Sequence, residues 1–190
     1  MENKEKILQC ALDLFYARGY DAVSVQEIVE KAGITKPTLY YYFGSKLGLL
    51  ETLLNTRYEL IKDKIRSAAG YDGNVPNTLC RLAEVYIDIA IHNRKEYMLM
   101  MALFYSAKEN EAYGAVRPVI LDFYMIIVNV FEEASGELGN MNGRQEQFAI
   151  GFIGIINHYI LLACEKEEEV AVNGEAIQEL VRQFMYGIYS

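Results

Sequence analysis

The stretch Lys36-Pro37-Thr38-Leu39-Tyr40-Tyr41-Tyr42-Phe43 gathers a cation, a hydroxyl and three phenols into eight residues. Such groups donate hydrogen bonds, and in this density they suit phosphate oxygens and the edges of bases. In a helix Leu39 and Phe43, four apart, turn inward together and leave Lys36, Thr38, Tyr40 and Tyr41 on or near the outer side. Tyr42 lies beside the inward pair, so packing and outward contact are both open to it.

Two capped helices must hold that strip. Ser24 followed three residues later by Glu27 is a capping box, so a helix begins at Val25, buries Ile28, Val29 and Ala32, and stops at Gly33, where a positive φ is wanted. Thr35 caps the next helix, with Lys36 and Pro37 in its first turn, where the missing proline amide costs nothing. Ile34 before the cap and Leu39 within the helix are spaced as a hydrophobic staple, which fixes the angle of entry. Gly44 ends the helix and Ser45 caps the one that follows. The pattern is a helix-turn-helix that reads DNA.

From about Ile7 to Leu53 the chain closely resembles the DNA-binding domain of TetR-family transcriptional regulators. Ile7, Ala11, Leu14, Phe15, Gly19 and Tyr20 carry the likeness, then Val25, Ile28, Ala32 and Gly33, then Lys36 to Phe43 and Ser45-Lys46. Leu47-Gly48 departs from the family, which often has acidic residues there. Placed on that pattern, Tyr40 and Lys46 face phosphate oxygens, Lys46 aided by the positive end of its helix. Gln26, Lys36, Thr38 and Tyr41 are the candidates for base edges, glutamine suiting adenine and lysine guanine. Ser24 and Thr35 add backbone contacts, and Pro37 and Tyr42 complete the strip. The resemblance further implies a homodimer on a palindromic double-stranded operator, with repression relieved by a small-molecule effector.

The remainder of the chain reads as all-α, since strand signals are absent and helical periodicity recurs. The expected organisation is a helix-turn-helix domain over 1–48, joined by a long helix, Lys46 to about Ala69, to a helical effector-binding and dimerisation domain over 49–190. The segment Gly70 to Asn74, with Pro76, marks a hinge. Further helices are expected at Asn77–His92, Lys95–Ser106, Ala112–Ala134, Gly143–Cys164 and Gly174–Tyr189, and the acidic run Glu165 to Glu169 as a solvated end.

Residues 1–48 hold six basic and six acidic side chains, so the net charge of −8 lies wholly beyond them. A locally positive face around Lys36 and Lys46 is therefore compatible with an acidic protein, though so modest a footprint needs two heads acting together. With 52% hydrophobic residues, no export signal and no apolar run expected to reach membrane-spanning length, the chain should be cytoplasmic, with no membrane partner. Cys10, Cys80 and Cys164 stand singly and suggest neither a disulfide nor a metal site, and no cofactor is implied.

The effector site is harder to read. Tyr86, His92, Met98, Met101, Phe104, Tyr105, Tyr124, Met125, Asn157 and His158 supply aromatic and Met side chains with a few polar anchors, which suits a largely apolar cavity. The same stripe serves plain core packing equally well. Phe148, Gly151, Phe152, Gly154 and Ile155 place small residues three apart among large ones, open to packing within the chain or across a dimer; the resemblance favours the dimer. No nucleotide-binding, nucleophile-elbow or zinc-protease motif supports an enzyme. The rival readings are a helical small-molecule carrier without DNA binding, and a TetR-like activator or nucleoid-organising DNA binder.

Overall fold

The computed structural model describes residues 2–139, 141, 143–165 and 174–187. Every regular element among them is helical: α1 (Glu2–Arg18), α2 (Val25–Ala32), α3 (Lys36–Phe43), α4 (Lys46–Ala69), α5 (Val75–His92), α6 (Arg94–Phe104), α7 (Glu111–Glu133), α8 (Gln145–Glu165) and α9 (Gly174–Tyr186), with a 3-10 turn at Ala134–Gly136. The all-α expectation holds, and each helix lies within a few residues of its sequence reading. α8 starts two residues later and α6 ends two residues earlier than expected, the expected end of α9 at Tyr189 lies outside the described residues, and α5 starts two residues early because Pro76 fits its first turn and the Asn74 side chain accepts from the Asn77 amide at 3.0 Å. The acidic run after Glu165 and the turn at Asn173 lie outside the described residues.

The chain divides into two compact units, 1–60 with 93–120, and 61–92 with 121–190. In the first, α1 to α3 and the start of α4 share one apolar core with α6 and the start of α7. Ile7, Phe15, Ile28, Leu39, Leu49 and Leu50 meet Leu99, Leu103, Ala112 and Val116 there. Polar ties reinforce it: Lys95 reaches Asp13 at 2.6 Å, Asn110 donates to Asp21 at 2.7 Å, and Tyr20 donates to Glu111 at 2.5 Å. Arg57 joins the same unit through Glu5 at 2.5 Å and Glu96 at 3.7 Å.

The second unit packs α5 against α8 and α9. Phe131, Phe148, Phe152 and Phe184 form its aromatic centre, with the Phe152 and Phe184 rings 5.5 Å apart and close to edge-on. By length and composition α7 and α8 could each cross a membrane, contrary to the expectation that no apolar run is long enough. Burial in the protein's own core accounts for 44% of the apolar window in α7 but only 28% in α8. The apolar surface left on α8 includes Ile150 and Leu162, each 61% exposed.

Candidate nucleic-acid interface

Each end of the two helices is fixed by the residue the sequence offers for it. Ser24 Oγ accepts from the Glu27 amide at 3.3 Å, while the Glu27 carboxylate accepts from the Ser24 amide at 2.8 Å, completing the capping box. That backbone hydrogen bond, followed by the bond from Arg18, holds the Glu27 carboxyl down at about 2. Gly33, at φ 67°, closes α2 in the left-handed region. Thr35 Oγ1 accepts from the Thr38 amide at 3.4 Å and lies 2.9 Å from the Thr38 hydroxyl. Ser45 Oγ caps α4 by accepting from the Gly48 amide at 2.9 Å.

Leu39 is wholly enclosed and Phe43 nearly so, with the staple residue Ile34 packed on the same core. α3 therefore presents its other side to solvent. Tyr41 is 83% exposed and Tyr40 46%, while Lys36 and Pro37 are also exposed and Thr38 is half-buried. Tyr42 divides its surface: it remains partly exposed, touches the Tyr41 ring edge-on at 5.3 Å and leans on Phe43. Ser24 and Gln26 are exposed at the start of α2, where Gln26 donates to Glu30 at 2.5 Å. Lys46 is different. It is half-buried, and its Nζ lies 4.1 Å from the centroid of the Tyr20 ring. Burial lowers its pKa, partly offset by Asp21, Glu111 and Glu27.

Gly48, where the sequence departs from the family pattern, has a geometric reason. A Cβ there would lie 2.1 Å from the Phe43 carbonyl oxygen, so the α3–α4 junction admits no side chain at this position.

The ten residues named for an effector fall in both units. Met98, Met101, Phe104 and Tyr105 belong to the first, where Met101 is buried and Tyr105 exposed. In the second, Tyr86 donates to Asn157 at 2.9 Å and packs on Phe123 at 4.4 Å, an apolar site with one polar pair. His92 and His158 are exposed, each with Nδ1 near the carbonyl oxygen four residues earlier, and Met125 is also exposed. Tyr124 is half-buried, and burial raises its pKa. A cavity of about 400 Å³ in the second unit is lined by Val75, Leu79, Phe131, Met141, Phe148 and Phe184, with Glu137 the carboxylate at its wall. None of the ten lines it. Sequence periodicity gave no sign of this cavity because its wall is assembled from α5, α7, α8, α9 and the loop after α7.

Of the residues named for a dimer, Phe152 lies in the unit's own aromatic centre, and the Gly151 backbone leaves only 3.3 Å between an added Cβ and the Phe184 ring. These two serve packing within the chain. Phe148, Gly154 and Ile155 are half-buried.

An exposed, tyrosine-rich helix fixed by a cap, a staple and a preceding capped helix defines a helix-turn-helix DNA-binding protein. The family model for bacterial regulatory proteins of the tetR family matches residues 7–53. The transcriptional activator FasR of Mycolicibacterium smegmatis is 27% identical over 154 residues, covering 81% of this chain and 68% of FasR. Among solved structures, a candidate fatty acid metabolism regulator of Clostridium perfringens matches with a TM-score of 0.84 at 22% identity, over 97% of this chain and 99% of the other. The regulator FadR of Bacillus subtilis, solved in complex with stearoyl-CoA, matches with 0.79 at 13% identity over the same shares. Residues 7–53 are thus a DNA-binding domain of the tetR family, and the chain as a whole has the fold of these transcriptional regulators.

Proposed function

We propose that the protein is a cytoplasmic homodimeric repressor whose paired heads bind a palindromic operator and let go when a small, largely apolar effector binds. The observation that carries the DNA reading is the outer side of α3, where Tyr40 and Tyr41 stand in solvent while Leu39 before them and Phe43 after them lie in the core. Adjacent exposed rings rimmed by polar groups such as Lys36 and Thr38 are the kind of surface that meets a partner. Lys36, Thr38, Tyr41 and Gln26 are assigned to base edges, and Tyr40 and Lys46 to phosphates. Ser24, Thr35, Pro37 and Tyr42 border them. DNA binding is assigned to residues 1–48 and effector binding with dimerisation to 49–190.

Dimerisation is supported by α8, whose apolar length is poorly covered by its own chain. Ile150 and Leu162 join Phe148, Gly154 and Ile155 as the residues assigned to that contact. A two-fold pair must space its heads to match successive major grooves, about 34 Å or a multiple of it. An apolar effector is supported by the stearoyl-CoA held by the B. subtilis neighbour, by the Tyr86–Asn157 pair and by the cavity beside Phe131. One observation favours a second reading, activation in place of repression: the relative FasR is an activator.

A salt-titrated binding assay on the gene's own upstream DNA tests the proposal. The expected result is a palindromic footprint, a steep loss of affinity with salt, and a further large loss on Lys46→Ala or Tyr40→Ala. Absence of sequence-specific binding at low salt overturns it. A reporter driven by the bound promoter separates repression from activation.

A further inference from the structure

The side chain of Lys46 does not hang free at the start of α4. Its Nζ lies 4.1 Å from the centre of the Tyr20 ring, within the range where a cation is drawn to the negative face of an aromatic. Tyr20 is itself held at both ends. Its ring packs against Phe15 at 5.2 Å inside the first unit's core, and its hydroxyl donates to the Glu111 carboxylate at 2.5 Å. Glu111 opens α7, next to Asn110, which holds Asp21. The ring beneath Lys46 is thus fixed by a residue 91 positions later in the chain.

We infer that Tyr20 is a positioning residue for DNA binding: its ring face holds the Lys46 ammonium ready for a phosphate, and Glu111 fixes that ring. The inference rests on the assignment of Lys46 to a phosphate. The physical reason is entropy. A lysine side chain loses rotamer freedom on making a contact, and a lysine already resting on a ring has lost much of it before the DNA arrives. A cation on a ring keeps its outward N–H donors for a second partner, so platform and phosphate can be held together. A carboxylate that accepts from the phenol also enriches the ring's negative face and strengthens the hold. None of this is visible in residues 1–48 alone, which contain no partner for the Tyr20 hydroxyl at this place.

The test uses the full-length protein and a duplex carrying the site it protects in its own upstream region. At position 20, Tyr20→Phe is compared with the same position carrying singly to triply fluorinated phenylalanines, which keep the shape and drain the negative face of the ring. Affinity is expected to fall stepwise with fluorine, reaching about five- to thirtyfold for two heads, with the thermal midpoint unchanged. In a Lys46→Ala background the series should be flat. Glu111→Gln should weaken binding by more in the native protein than in Tyr20→Phe. A flat series in the native protein, or an equal fall with Lys46→Ala, overturns the role of Tyr20 and leaves it a packing residue. If Lys46→Ala alone changes neither affinity nor salt dependence, the phosphate assignment beneath the inference fails instead.

Discussion

Tyr41→Ala separates reading from folding more cleanly than any other change on α3. The Tyr41 side chain is 83% exposed, and its ring contact is the edge of Tyr42 at 5.3 Å. Losing an exposed ring contact costs a few tenths of a kcal/mol, while alanine's greater helix preference returns about 0.5 kcal/mol. The two nearly cancel, so the thermal midpoint should move by less than about 2 °C in a chain of this size. DNA binding should respond very differently. A side chain at a base edge contributes about 1–3 kcal/mol per head, and two independent heads double it, giving about 2–6 kcal/mol, or from roughly thirtyfold to above ten-thousandfold in affinity. Thermal unfolding and fluorescence-anisotropy titration on one preparation measure both quantities. Two results would refute the reasoning: an unchanged affinity shows that Tyr41 does not touch DNA, and a midpoint that falls along with affinity shows that it supports the fold.

Leu39→Ala should do the reverse, destabilising the protein by about 3 kcal/mol through the cavity it leaves in an enclosed core, as read from denaturant unfolding. Glu27 titrates at about 2 in the folded protein against an ordinary 4.5, so its stabilisation is complete above pH 5 and disappears as pH falls from 4.5 through 2. The midpoint difference between the native protein and Glu27→Gln should shrink across that window when unfolding is followed against pH. Gly48→Ala should lower the midpoint despite alanine's advantage of about 1 kcal/mol in a helix, because the Phe43 carbonyl already occupies the space. Ile150→Asp should yield a monomer by sedimentation velocity while leaving the fold intact, since Ile150 faces solvent within its own chain.

The head was legible because its determinants are local. Ser24 and Glu27, and Thr35 and Thr38, act across three residues and meet as their spacing requires, and Ile34 packs on the core that encloses Leu39. What spacing could not show is where distant segments return. Asp13 with Lys95 and Tyr20 with Glu111 are partners 82 and 91 residues apart, and no periodicity within either segment reveals the other. In the sequence Gly48 is only a departure from the family pattern, and its reason lies in the Phe43 carbonyl beside it. The effector residues were chosen by type, and type alone does not tell Met101 in a core from Tyr105 in solvent.

Leu99, Leu103, Ala112 and Val116 share a core with α1 to α3, which bears on how such regulators can be recombined. A recognition head cut out at residue 48 and joined to a foreign sensor would lose its lining from α6 and α7 and expose apolar surface. A working transplant has to carry residues 93–120 as well, although the chain between them belongs to the other unit. Operator choice and effector choice are therefore not interchangeable cassettes in this protein. Exchanging one by a single crossover disturbs the other, and a functional hybrid calls for three junctions, after residues 60, 92 and 120.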